Sequence, residues 1–65
     1  MCESSVYMLK GSERTLVMKE AARVIVDGQN IICIDTFGAR ETVSGARIHE
    51  ANLVKHEIML KALQG

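Results

Sequence analysis

The tightest constraint on this chain is the way its turn signals divide it. Gly11, Gly28, Gly38 and Gly45 separate short apolar runs, proline is absent, and the runs are rich in Val and Ile. Branching at Cβ suits a pleated, half-buried surface better than a helix. In chain order, the alternation from Glu3 to Leu9 predicts a half-buried strand, Lys10 to Glu13 a turn, and Leu16-Val17-Met18 a short strand. From Lys19 to Arg23 the pattern is mixed. Met18, Ala21, Ala22 and Ile25 fit helical spacing, yet Val24-Ile25-Val26 favours a turn leading into a strand from Arg23 to Val26.

Asp27-Gly28-Gln29-Asn30 reads as a hairpin connection, returning through Ile31 to Asp35. Thr36-Phe37-Gly38 is a break, Ala39 to Val43 a strand, Ser44-Gly45 a second break, and Ala46 to Glu50 the start of another strand. The last element is expected over Leu53 to Leu60, with Val54, His56, Ile58 and Leu60 on one face and Lys55, Glu57 and Lys61 on the other. A helix from Leu53 to Leu63 is its rival, because Glu57 and Lys61 also stand at helical pairing distance. The period-two charge pattern favours the strand. The expected fold is therefore all-β, a small barrel of five to six short strands, with residues 1–65 forming a single domain.

A chain of 65 residues with 48% hydrophobic content has more aliphatic surface than so small an interior hides well. That imbalance predicts a homodimer, the commonest closed assembly. Lys plus Arg equals Asp plus Glu at eight each, and there is no basic stripe of the kind nucleic-acid binders use. Apolar runs such as Ile31 to Ile34 are far short of a membrane span. Without an export signal the expected compartment is the cytoplasm, with both cysteines reduced. No nucleophile and base can be picked out, so an enzyme is not expected.

The sharpest chemical suggestion is Met1-Cys2. A thiol at position 2 lies beside a free amine (if Met1 is retained) and the first backbone amide, so three metal donors come from one short piece of chain. The thiolate is the ligand form. Cys33, inside Ile31-Ile32-Cys33-Ile34, reads instead as a small core residue. His56 is the first choice for an auxiliary ligand; His49, between Ile48 and Glu50, reads as an exposed polar residue. No Cys-x-x-Cys or His-x-x-x-His spacing marks a conventional zinc site.

Met1-Cys2, Leu16-Val17-Met18, Phe37-Gly38, Ala46-Arg47-Ile48 and the closing Leu53-Val54-Lys55-His56-Glu57-Ile58-Met59-Leu60 together resemble the CooT family of small nickel-binding accessory proteins, linked to maturation of nickel carbon monoxide dehydrogenase. The resemblance implies an SH3-like barrel that dimerises and binds Ni(II) through Cys2. It also implies a nickel-enzyme recipient, such as carbon monoxide dehydrogenase or its maturation proteins. The donor chemistry agrees, since amine, amide nitrogen and thiolate give a planar, nitrogen-rich field that suits Ni(II) or Cu(II) better than Zn(II). A small RNA-binding SH3-like or Sm-like barrel is the alternative implication. One Tyr, one Phe and zero net charge argue against it.

Overall fold

The computed structural model describes residues 3–63. It contains six strands and, among the described residues, no helix: β1 (Ser4–Lys10), β2 (Glu13–Asp27), β3 (Asn30–Asp35), β4 (Arg40–Ser44), β5 (Ala46–Asn52) and β6 (Glu57–Ala62). They form one sheet in the order β4-β3-β2-β1-β6-β5. All neighbours are antiparallel except β1 and β6, which run parallel. The all-β class and the strand number agree with the sequence reading.

The expected turn over Lys19 to Arg23 is absent. Those residues lie inside β2, which runs unbroken for 15 residues. Its first half pairs with β1, its second half with β3, and Ala21 is opposite both Ser4 and Asp35. Between Ser4 and Tyr7 on β1, three steps along the chain, β2 advances five steps, from Ala21 back to Leu16. A further extra residue, Ala22, stands between the pairs Ala21↔Asp35 and Arg23↔Ile34. Such insertions bend a strand and increase its twist. Ser5 holds the first of them, its hydroxyl donating to the Lys19 carbonyl at 2.9 Å. Ala21 is only 4% exposed, so a side chain of minimal size occupies the crease. Bulged residues depart locally from strand geometry, which accounts for the mixed periodicity of this stretch.

The bend folds β3 and β4 back over the other strands, so that β3 and β5 meet across the core. One residue, Gly45, separates β4 from β5, although these strands are the opposite edges of the sheet. The two edges must therefore approach each other at that corner. Gly45 turns it with φ 65°, a conformation open to glycine without steric cost. The corner is tied by Ala46 N–H donating to Gln29 O at 3.0 Å and Leu63 N–H to Gly45 O at 2.9 Å. The ladder itself stays open, since β4 and β5 do not pair. The result is a tightly curled sheet that is not a closed barrel.

The hairpin expected at Asp27-Gly28-Gln29-Asn30 forms, with Asp27 paired to Asn30 and Gly28 at φ 61°. A two-residue loop with glycine first matches the right-handed twist of its strands. Val6, Ala21, Ile31, Cys33, Ala46 and Leu60 form the buried cluster, flanked by Met8, Val17, Met18, Val24, Val43 and Ile58. Five of the six strands contribute to the fully buried set. Removing the interior of Leu60 leaves a cavity, so Leu60→Ala should cost about 2–5 kcal/mol. Ser12→Ala, at an exposed residue of the turn between β1 and β2, should change stability by less than about 0.5 kcal/mol. Urea unfolding of the two variants measures both.

Candidate metal centre

Of the predicted ligands, Met1 and Cys2 lie outside the described residues; β1, which follows them, defines where that end of the chain is anchored. β1 is an interior strand of the sheet, with β2 on one side and β6 on the other. Ser5 N–H donates to the His56 carbonyl at 2.9 Å, which ties the start of β1 to the segment entering β6. The start of β1 is thereby held from both sides.

His56 is not on the expected strand face. Leu53 to His56 form a turn, and β6 begins only at Glu57. Asn52 Oδ1 accepts from Lys55 N–H at 3.0 Å, and His56 takes φ 56°. An asparagine side chain that captures a nearby backbone N–H stabilises a turn against a continued strand. His56 is consequently exposed, and the rival helix over Leu53 to Leu63 does not form. Ile58 and Leu60 do share the inner face, beside Val6 and Met8 of β1. His49 is the extra residue of a bulge in β5, between Ile48↔Leu60 and Glu50↔Met59, and is exposed. Among the described residues no three His, Cys, Asp or Glu side chains converge.

Two apolar tips flank the start of β1. Leu53 and Val54, 77% and 90% exposed, crown the turn bonded to Ser5, and Phe37 is 92% exposed. Ser4, Ala21 and Asp35 stand side by side across β1, β2 and β3, which places the Phe37 turn about 10 Å, two strand spacings, from the start of β1. That turn is rigid. Asp35 Oδ1 accepts from Phe37 N–H at 2.8 Å and Ala39 N–H at 2.9 Å, and the Asp35 carbonyl accepts from Gly38 N–H at 3.1 Å. In the sequence Phe37 reads only as part of a break. Its signal is Asp35 two residues earlier, a side chain suited to hold the turn.

Cys33 is fully buried between Val24 and Glu41 of the neighbouring strands, as its apolar surroundings suggest. Burial pushes its thiol pKa up, and the nearby Glu41 carboxylate adds to the effect. A thiol held protonated in this way is a poor metal ligand.

The family model for the carbon monoxide dehydrogenase accessory protein CooT matches residues 1–61, so this chain belongs to the CooT family. In three dimensions it is similar to the crystal structure of a chain assigned as CooT from Carboxydothermus hydrogenoformans. The TM-score is 0.84 at 26% identity, covering 94% of this chain and 97% of that one. A comparison with curated protein sequences gives no significant match. The family is one of accessory proteins.

The raised Cys33 pKa has a definite consequence for stability. The folded state binds the thiol proton more tightly than the unfolded chain, so the contribution is complete below the unfolded value of about 9 and is lost as pH rises through the folded one. Stability should fall on moving into that alkaline range, and Cys33→Ala should flatten the slope. Denaturant titrations at several alkaline pH values test this.

Proposed function

We propose that this chain is a nickel-carrying accessory protein that binds Ni(II) through the Cys2 thiolate, helped by the Met1 amine and the adjacent amide nitrogen. The ion is shared between two copies of the chain, and it is cargo for a nickel enzyme such as carbon monoxide dehydrogenase. The observation that carries the reading is the anchorage, from both sides, of the strand that begins two residues after Cys2. A chelating pair of residues needs a fixed support if two copies are to present their donors to one ion. The exposed Leu53, Val54 and Phe37 around that support supply apolar surface for the self-contact, in keeping with the excess of aliphatic residues.

His56 serves as the auxiliary ligand. Cys2 and Ser5 are three residues apart, a reach of at most about 10 Å, and Ser5 is bonded to His56. Release of the cargo follows from the same chemistry, since the donors must lose protons to bind and regain them when the ion leaves.

Cys2→Ala should abolish tight Ni(II) binding and the sulfur-to-nickel charge-transfer absorption, with one ion per dimer found for the parent by native mass spectrometry. Parent-like affinity in Cys2→Ala would overturn the assignment. Affinity should also weaken between about pH 8 and about pH 6, and calorimetric titration at both values measures it. His56→Gly separates backbone from imidazole. Glycine adopts the left-handed conformation freely, so the fold should be kept or slightly stabilised while Ni(II) affinity drops; unchanged affinity would remove His56 from the ligand set.

A further inference from the structure

The end of the sheet remote from the start of β1 carries a second feature, unrelated to the thiolate. An open cleft of roughly 610 Å³ lies between the last residues of β1, the first of β5 and the last of β6, and its lining includes Leu9, Lys10, Arg47, Lys61 and Leu63 but no acidic residue. Such a volume is in the range that small ligands occupy.

The strand register explains the charge. Leu9 pairs with Lys61, and Lys61 pairs with Arg47, so these side chains project from one face on three adjacent strands. Two cations thus stand directly opposite each other, an arrangement that destabilises a sheet unless something negative lies between them. Among the described residues no acid forms an ion pair with Arg47 or Lys61. Glu57 is paired with Arg14 at 3.6 Å, and Glu50 stands one row away, opposite Met59. Glu13 stands opposite Lys10, which leaves Arg47 and Lys61 as the unrelieved pair. Among the described residues, Lys10, Arg47 and Lys61 make no ion pair. In a chain of zero formal net charge, this local excess is a matter of placement and not of composition.

We infer that the cleft is a binding site for a small organic anion, whose carboxylate or phosphate group is held between Arg47 and Lys61. The planar guanidinium of Arg47 offers paired donors to such a group, while the Lys61 ammonium adds a point charge. Lys10 lies at the rim, and the apolar part of the ligand rests against Leu9 and Leu63. Because the cleft is open to solvent, binding is salt-sensitive.

The test uses the full-length, metal-free chain and follows backbone amide resonances during titration with inorganic phosphate and with citrate, at about 20 mM and about 200 mM sodium chloride. The expected result is saturable movement of the Leu9, Arg47, Lys61 and Leu63 amides by at least one of the two anions. Dissociation constants should rise at least about tenfold in Arg47→Gln and in Lys61→Gln, and also at the higher salt. Lys55→Gln, at an exposed lysine in the turn at the other end of the sheet, should bind as the parent does. Neither cleft variant should unfold the protein, since each removes a like-charge contact. A preference for citrate assigns a carboxylate ligand, and a preference for phosphate a phosphorylated one. Linear shifts spread over the surface, shifts equalled by chloride, or equal loss in Lys55→Gln would mean an adventitious ion only and would overturn the proposal. The outcome is independent of nickel binding at Cys2.

Discussion

The fold depends on the crease in β2. A single strand of 15 residues belongs to both halves of the curled sheet because extra residues accumulate between Leu16 and Arg23. A straight strand of that length would run past the end of β1 and leave Ile31 and Cys33 without a facing layer. The bend instead carries β3 across the core towards β5, and the buried cluster then forms from residues on both sides of the crease. The Ser5 hydroxyl on the Lys19 carbonyl gives a bulged backbone group a partner, which such disrupted ladders otherwise lack.

The same crease sets the geometry of the end from which the proposed metal-binding residues depart. It brings the Asp35–Ala39 turn beside the start of β1, while the parallel pairing of β1 with β6 brings the Leu53–His56 turn to its other flank. Exposed apolar tips, Phe37 on one side and Leu53 with Val54 on the other, stand on both flanks. Stability and presentation are thus linked: the residues that close the core also hold the strand from which the proposed chelating end departs.

Much of this was legible in the residues. The strands near Val6, Ile31 and Ala46, the hairpin at Gly28, and the core role of Cys33 follow from alternation, turn chemistry and apolar surroundings. The family was legible too, because its matching residues are spread along the chain. Lys19 to Arg23 was not, since a bulge breaks the period that sequence reading relies on. Alternation continues through the turn by coincidence and so puts His56 on a strand face; the Asn52 side chain ends that alternation in space.

The sequence by itself determined the class of fold and the turns that need glycine. These depend on local sterics and on chemistry that each residue carries with it. Only the tertiary structure decided that β2 serves both halves of the sheet, that His56 faces outward beside Ser5, and that Arg47 and Lys61 stand opposite each other. Those are matters of register, fixed by which strands pair and where extra residues fall, and register belongs to the assembled sheet and to no single segment.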